Sequence, residues 1–586
     1  MAASGKRQRG QRKPAAGGRR LTRREVLAAA AGLALAGCAS STVTKRQATP
    51  TPAPFALGRA ATLFVAGTVP PALVAPMRTR LAGIAGITEV TLAGGLTTSP
   101  DLVLTFGALP AGYQGATAGP SPLTILTHLR VPVDGVSAAA ARALFAGETA
   151  DWRAAGAPYN LPVHVLALAD LPLPASLRLA AGARVLPDVP ALLDALRATP
   201  GSIAALPLEA ADWSVRNLGV DGIFPAQGRG KVTTSALAPF ALQVGVAEPL
   251  AKRGLRAQPL ADALAPLLAI GVPVLDLAAV GDIMLGRGVN NKMLAHGDYR
   301  YPYRQVRDEL MSADLRVANL ECTITDLVPV PTDPFTFNFV STRRAVDGLT
   351  FAGFSAVTVA NNHAGGAGTE TLADMLGTLR GHGIAATGGG AHLAEARTPA
   401  VMEAQGLRVA LLGYDSIPPQ CPFATASSPG LAPIDLVTLP GDIAAARKQA
   451  DLVIPYFHWG IEYTKDPTRE QQQAARAAIN AGADMVLGVH PHWVQGIESY
   501  KGRLIVYALG NFIFDQDWSR PTLEGMLLHL YWRGTTLAGL RFVPVIDEDR
   551  CQPRVMSPSE AVDVFERMWS GTDMLARGQY GPEPEP

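Results

Sequence analysis

The chain has 586 residues, of which 48% are hydrophobic and 17% charged, a composition typical of globular proteins and not of disordered ones. This length is enough for two or three domains. The formal net charge of +2 comes from residues 1–37, which hold nine Lys/Arg and one acid, so the remaining 42 basic and 48 acidic residues leave a net charge of −6. A basic surface for nucleic acid is therefore not indicated, and we expect no nucleic-acid partner.

Residues 1–37 have the order of a signal peptide, with a basic segment before an apolar stretch (26–37) too short to span a bilayer. The segment "TRREVL" (22–27) resembles a twin-arginine export signal, and "LAGC", ending at Cys38, resembles a lipobox whose cysteine is lipidated. A plain Sec signal with a chance cysteine is the alternative, and the export route stays open between Tat and Sec. The pattern predicts a lipoprotein on the outer face of the cell membrane.

Residues 38–56 are rich in Ser, Thr and Pro and predict an extended tether. Residues 57–270 alternate short Val/Leu/Ile runs with Ala-rich stretches, which predicts an α/β domain. Within it, "PDLVLTFG" and "LPVHVLAL" predict buried strands. Ser137 is placed to cap the N-terminus of a helix that ends at Gly147.

Two stretches of this first domain, "VPVDGVSAAAARALFAGETADWRAAGAP" (131–158) and "TPGSIAALPLEAADWSVRNLGVDG" (199–222), are similar to segments of phosphate-type periplasmic binding proteins. The resemblance implies a two-lobed class II binding-protein fold. The stretch "LFVAGTVPP" lacks the Gly-Ser/Thr helix start with which that family binds anions. The ligand therefore stays unidentified, and a scaffold without a ligand site is the alternative.

Residues 272–520 form a second predicted α/β domain, and alternation of strands with helices favours a layered sandwich. Its predicted strands are "VLDLAAV", "LRVANL", "SAVTVA", "RVALLGY", "DLVIPYF", "DMVLGV" and "LIVYALG". Thr369 and Thr468 are predicted N-caps of two helices between them. Residues 521–575 predict antiparallel strands that extend this domain, and residues 576–586 predict a disordered tail.

Polar residues follow five of these strands. They are Asp282, Glu321, the run Asn361-Asn362-His363, the pair His458 and Glu462, and the pair His490 and His492. An isolated His-x-His is more typical of a polar loop, but sites in α/β sheets form outside the carboxyl ends of strands. Carboxylate, amide and imidazole donors without thiolate suit Mn²⁺, Fe or Zn²⁺. At least six of these residues could act as ligands, which is more than one tetrahedral ion needs. The set therefore predicts two ions.

The ordered motifs "GD", "NLE", "NNH", "HWGIE", "HPH" and "LGNFIFD", over residues 274–517, resemble the CapA family of poly-γ-glutamate capsule biosynthesis. The resemblance implies a calcineurin-like metallophosphoesterase fold, a four-layer α/β/β/α sandwich. It also implies a first metal on Asp282, Glu321 and His492, and a second on Glu321, Asn362, His458 and His490. His363 would protonate a leaving group or steady an oxyanion. Arg287 is either an oxyanion contact or a surface arginine.

Two positions depart from the pattern. Metallophosphoesterases carry a His two residues after the first Asp, where this chain has Met284, so the first metal lacks a ligand. Where the family pattern "NNH-x-x-D" has Asp, this chain has Gly366. The carboxylate that would orient His363 is therefore missing.

Taken together, the sequence predicts an exported protein of poly-γ-glutamate synthesis or export, with a dinuclear site suited to phosphoester or amide hydrolysis or transfer. The expected partners are an anionic polymer or a phosphoryl or γ-glutamyl substrate, the membrane through a lipid anchor, and a capsule synthesis or export complex. The alternatives are a non-catalytic component that binds the polymer and a solute sensor that uses the first domain. Fold alone does not choose among them.

Overall fold

The computed structural model describes residues 56–227, 240–268, 273–333 and 335–582. The predicted signal peptide, Cys38 and nearly all of the predicted tether lie outside the described residues. Within the described ranges, no helix is both long and apolar enough to cross a membrane.

The first part of the chain, up to residue 268, builds two sheets and five helices. The strands are β1 (Arg59–Val65), β2 (Ile87–Leu92), β3 (Leu102–Thr105), β4 (Tyr113–Ser121), β5 (Leu123–His128), β6 (Gly135–Val136), β7 (His164–Leu168), β8 (Arg184–Leu186), β9 (Ser202–Pro207), β10 (Val215–Val220) and β11 (Phe240–Ala247). The helices are α1 (Pro71–Leu81), α2 (Ala138–Ala146), α3 (Val189–Ala198), α4 (Glu248–Lys252) and α5 (Ala257–Leu264).

One sheet has the order β2-β1-β3-β11-β4 and the other β6-β10-β5-β9-β7-β8. The two sheet regions touch through backbone atoms. Val189 N donates to Gly67 O at 3.1 Å, and a Cβ on Gly67 would lie 2.8 Å from Pro187 O. A Cβ on Gly107 would lie 2.4 Å from Asp170 O. At these two glycines the contact leaves no room for a side chain.

The second part, from residue 273, builds the strands and helices that carry the predicted site residues. Its strands are β12 (Val274–Ile283), β13 (Leu315–Leu320), β14 (Thr323–Ile324), β15 (Val340–Ser341), β16 (Ala356–Thr358), β17 (Ala385–Thr387), β18 (Gly389–Gly390), β19 (Ala400–Ala404), β20 (Leu407–Asp415), β21 (Gly430–Leu431), β22 (Leu452–His458), β23 (Met485–Val489), β24 (Ile497–Tyr500), β25 (Arg503–Val506), β26 (Asn511–Ile513), β27 (Glu524–Arg533), β28 (Thr536–Glu548) and β29 (Gln552–Val555). Its helices are α6 (Arg287–His296), α7 (Arg307–Met311), α8 (Val346–Ala352), α9 (Thr369–Gly381), α10 (Leu393–Ala396), α11 (Leu439–Arg447), α12 (Arg469–Asn480), α13 (Arg520–Leu523) and α14 (Val562–Ala576).

Two large sheets dominate this part: β17-β16-β13-β12-β27-β28-β29, with β26 paired to β12, and β19-β20-β22-β23-β25-β24. Alternate residues of β12 enter different cores because successive side chains of a strand point to opposite faces. Leu275 and Leu277 join a core with Leu411 and Ile454 of the second sheet, whereas Val280 joins a core with helical residues. A third core packs the other face of the second sheet against α11 and α12. The chain is thus a mixed α/β protein with several sheets.

The helix ends illustrate how local signals act. Ser137 accepts from Ala140 N and Gly147 ends α2 with φ 72°, as predicted. Thr468 forms a capping box with Gln471 at the start of α12. The prediction for Thr369 is wrong, because Gly368 (φ 115°) holds the N-cap position and Thr369 is already helical.

The C-terminal segment follows its predicted strands and then adds a helix. β27 pairs with the central strand β12, and β28 and β29 continue to the sheet edge. α14, at 562–576, was not predicted, although Val564 and Met568 are buried at helical spacing. In the predicted tail, Tyr580 donates to Gln472 Oε1 at 2.9 Å, so this residue contacts the domain.

Charged contacts join the two parts of the chain. Arg541 of β28 pairs with Asp134 at 3.1 Å and with Glu309. His529 is fully buried, with Asp276 at 2.8 Å and Glu309 at 2.9 Å. Burial alone would lower the pKa of His529, but its hydrogen bonds to both carboxylates outweigh burial and raise that pKa.

Candidate metal centre

The site residues predicted at strand ends meet at one edge of the two large sheets. Asp282 is the penultimate residue of β12, and Glu321 follows β13, which runs parallel to β12. His458 ends β22, and His490 follows the parallel strand β23. Parallel strands place their carboxyl ends together, which is why side chains over 200 residues apart can converge.

Three of these side chains form the tightest group. Donor atoms of Asp282, Glu321 and His458 lie within 4.8 Å of one another, and all three residues are buried. Neither carboxylate oxygen of Glu321 has a hydrogen-bond partner among the described residues. Burial, reinforced by the nearby charge of Asp282, raises the pKa of Glu321 well above its usual range. A buried carboxyl without donors is costly unless a cation satisfies it.

A second set of donors converges on the same space. His458 Nε2 lies 2.9 Å from Asn362 Oδ1 and 3.0 Å from His490 Nδ1. Burial, followed by the charge on neighbouring histidines, holds the pKa of His458 and of His490 well below the usual value. Both imidazoles are therefore neutral at pH 7, the form that binds a metal.

His492 is oriented by a residue that the sequence analysis did not single out. Its Nδ1 lies 2.9 Å from Asn511 Oδ1, while Asn511 Nδ2 donates to Gln516 Oε1 and Thr522 O. Because Asn511 is fixed as an acceptor toward the ring, His492 carries its proton on Nδ1 and keeps the Nε2 lone pair free. Asn511 lies in the quoted motif "LGNFIFD", which was the signal available in the sequence.

The backbone of the site is strained where the ligands turn inward. Positive φ angles occur at His490 (97°), His492 (58°), Tyr463 (59°) and Arg287 (43°). Such angles are uncommon for residues with a side chain and tend to cluster at functional sites.

His363 lies beside the group, with Nε2 3.9 Å from Glu321 Oε1. Its Nδ1 lies 2.9 Å from the Phe337 carbonyl oxygen, which can only accept, so Nδ1 carries the proton. Burial lowers the pKa of His363 to about 3. The ring is therefore neutral, and its Nε2 accepts a hydrogen bond from Asn362 Nδ2 at 3.1 Å.

Gln420 occupies the space left by the missing carboxylate at Gly366. A Cβ on Gly366 would lie 2.2 Å from Gln420 Oε1, and Gln420 Nε2 donates at 2.8 Å to the Phe337 carbonyl oxygen that also accepts from His363 Nδ1. The Phe339 ring stacks on His363 at 3.9 Å. His363 is thus oriented without the family carboxylate, and no local pattern in the sequence pointed to Gln420.

Arg287 is not a surface residue. It is buried, forms an ion pair with Asp515, and places its guanidinium 4.4 Å from the Phe339 ring centroid. Its Nε has no hydrogen-bond partner among the described residues. Of the two interpretations drawn from the sequence, the exposed one is therefore wrong.

A cavity of about 960 Å³ opens beside the donors. Its lining includes Asn362, His490 and Glu462, together with Glu470 and Gln471 of α12. A cavity of this size accommodates a small-molecule substrate or a segment of a polymer.

The donor set fits a divalent metal. Carboxylate, amide oxygen and neutral imidazole are its ligands, and Glu321 is a buried acceptor without a partner. Asp282, Glu321 and His458 bring their donor atoms within 4.8 Å of one another, a spacing that fits ligands of one ion or of two adjacent ions.

Comparisons with known proteins agree with these motifs. The family described as "Bacterial capsule synthesis protein PGA_cap" matches residues 276–516. "PGA biosynthesis protein CapA" of Bacillus subtilis (strain 168) is 34% identical over 265 residues, which are 45% of this chain and 69% of that protein. "Capsule biosynthesis protein CapA" of Bacillus anthracis is 29% identical over 317 residues, 53% of this chain and 77% of that protein.

Among solved structures, a putative phosphate ABC transporter substrate-binding protein with bound phosphate from Clostridium perfringens is 13% identical. The superposition covers 35% of this chain and 92% of that protein, with a TM-score of 0.29. A score this low does not assign a shared fold. The sequence relatives and the matched motifs are sufficient by themselves: the chain belongs to the PGA_cap family of bacterial capsule synthesis proteins, together with the CapA proteins.

Proposed function

We propose that the chain acts in poly-γ-glutamate capsule synthesis as a metal-dependent hydrolase or transferase of phosphoester or amide bonds. The observation that carries this proposal is the convergence of carboxylate, amide and neutral imidazole donors on Glu321, whose two buried oxygens have no hydrogen-bond partner among the residues that the structure describes. The role in capsule synthesis is supported by the names of the Bacillus relatives.

In this proposal the site would hold two divalent ions, Mn, Fe or Zn, and Glu321 would serve both ligand sets. Asp282 and His492 complete one set, and Asn362, His458 and His490 the other. The two large sheets would be the inner layers of a four-layer α/β/β/α metallophosphoesterase sandwich, which the three separate cores support. Bound there, the ions would activate a hydrolytic water and neutralise charge that develops on the scissile group.

The protein residues around this centre have separate tasks. His363 Nε2 accepts a proton or a hydrogen bond beside Glu321. Arg287, held by Asp515, supplies a fixed positive charge close to the ring of His363. The backbone turn 490–492 directs two imidazoles to neighbouring ligand sets.

Polymer binding without catalysis has less support. The described residues that line the cavity beside the donors include Glu462 and Glu470 but neither Lys nor Arg. A polyanion would meet repulsion there, whereas a metal centre needs only one oxyanion near the ions. A solute-sensing first domain also has less support, because its sheet regions touch at Gly67 and Gly107.

The test compares hydrolysis by the metal-loaded protein on two substrates, bis(p-nitrophenyl) phosphate and γ-glutamyl-p-nitroanilide. We expect activity on at least one substrate, a loss of at least about 100-fold in His490→Ala, and no change in His296→Ala, a matched exposed histidine. No activity of metal-loaded wild type on either substrate would contradict the enzymatic proposal.

We further propose that the protein is exported and held on the outer face of the membrane by a lipid on Cys38, where it joins a capsule synthesis or export complex. The support is the leader and the "LAGC" segment. Cys38→Ala should release the protein from the membrane fraction; a variant that stays membrane-bound would refute the anchor.

A further inference from the structure

This chain lacks one ligand of the first metal that general metallophosphoesterases have. Where metallophosphoesterases have a histidine, this chain has Met284, which is fully buried. Its Sδ accepts a hydrogen bond from Gly286 N at 3.1 Å. The thioether is therefore engaged with the backbone, and a thioether is a poor ligand for the hard ions that carboxylates prefer.

Glu462 brings a further carboxylate close to that set. Its Oε1 lies 3.8 Å from Nε2 of His492, the nitrogen whose lone pair is free. Two ligands about 2.1 Å from one ion lie roughly 3 to 3.5 Å apart, so a small side-chain rotation would bring Glu462 into range. Its side chain is 40% exposed and free to make that rotation.

The loop that carries Glu462 is fixed against the histidine turn. Tyr463 N donates to Pro491 O at 2.9 Å, and the Tyr463 ring stacks on His492 at 5.9 Å. Tyr463 also adopts a positive φ of 59°. These contacts fix the backbone beside Glu462 relative to His492. A positive φ held by such contacts is typical of functional sites.

We propose that Glu462 supplies the ligand that Met284 does not, and completes the coordination of the ion held by Asp282, Glu321 and His492. The inference rests on the proposed metal centre. It makes this donor set three carboxylates and one imidazole, which favours Mn²⁺ over Zn²⁺ at that ion. The sequence placed Glu462 at a strand end but assigned it no role.

Glu470 provides the matched control. It lines the same cavity as Glu462, carries the same charge, and lies in the first turn of α12. A general effect of cavity charge on metal affinity would appear equally in Glu462→Gln and Glu470→Gln, whereas coordination would appear only in the first.

The experiment measures Mn²⁺ binding to the purified protein by calorimetry and by metal content after dialysis. We expect two ions in wild type and in Glu470→Gln. In Glu462→Gln, one ion should be lost or bound at least about 10- to 100-fold more weakly. Glu462→Ala should show the same loss, and the melting temperature in EDTA should be unchanged in both variants.

The outcomes separate the two proposals. If Glu462→Gln and Glu462→Ala bind two ions with wild-type affinity, the role of Glu462 is refuted and the metal centre stands. Equal weakening in Glu470→Gln also refutes coordination by Glu462. If wild type binds no metal, the proposed function itself fails.

Discussion

Replacing Glu321 by Gln should change stability in opposite directions with and without metal. In the absence of metal, wild type buries two carboxylate oxygens without partners. The glutamine amide has the same shape and can donate to the neighbouring Asp282, so the variant replaces an unsatisfied buried acid by a neutral group that has a partner. With metal, the variant loses the carboxylate that lies between both ligand sets.

The size of each effect follows from the burial of the group. Relief of an unsatisfied buried acceptor is worth about 1–3 kcal/mol, so Glu321→Gln should be more stable than wild type by that amount in EDTA. An ion at 1,000 times its dissociation constant stabilises wild type by about 4 kcal/mol. Loss of that gain makes the variant less stable by about 1–3 kcal/mol in excess metal. For a unit of this size, about 1 kcal/mol corresponds to roughly 1 °C.

The assay is paired thermal unfolding of wild type and Glu321→Gln, in EDTA and in excess Mn²⁺. The reversal of rank order is the expected result, and Glu470→Gln, another carboxylate at the cavity, should show no reversal. If Glu321→Gln is destabilised equally in both buffers, Glu321 is a structural residue and the reasoning from its unpaired oxygens is wrong.

Three further predictions concern residues that are not metal ligands in the proposal. Burial raises the pKa of Asp547 to about 8, so the folded state holds one proton more than the unfolded state between about pH 4 and 8, and stability falls as pH rises. The free energy of unfolding of Asp547→Asn, measured in urea, should therefore rise relative to that of wild type by up to about 1.4 kcal/mol per pH unit from pH 5 to 8. A difference between the two proteins that does not change with pH would refute the raised pKa. The raised pKa of His529 means that its stabilisation is complete below about pH 6.5 and is lost as pH rises through the folded pKa. The advantage of wild type over His529→Gln should shrink in alkaline buffer, and an advantage that grows would contradict this. Gly281→Ala places a Cβ 1.8 Å from Gly510 O and should cost at least about 1–3 kcal/mol, whereas Gly377→Ala, in the open interior of α9, should be neutral or stabilising; equal effects in calorimetry would refute the packing argument.

The convergence of these polar residues could be predicted from the sequence because their positions are tied to local signals. Each of Asp282, Glu321, His458 and His490 stands at or directly after a run of buried strand residues, and parallel strands bring such positions together. Thr468 likewise marked the start of α12, since a capping box depends on residues three apart.

What could not be predicted depends on contacts between distant side chains. Gln420 fills the space beside Gly366 from 54 positions along the chain, and Asp515 pairs with Arg287 from 228 positions away. No short pattern encodes either contact. The helix α14 is different, because its apolar spacing was visible and was missed beside the strong strand signals that precede it.

The most direct test of the metal centre is the metal content of the purified wild-type protein, determined by elemental analysis after dialysis against trace metal. We predict two divalent ions per chain, both lost on chelation and neither retained in a His458→Ala, His490→Ala double variant of intact fold. A wild-type protein that retains none, or a double variant that retains both, would contradict the central claim that these strand ends form a dinuclear metal site.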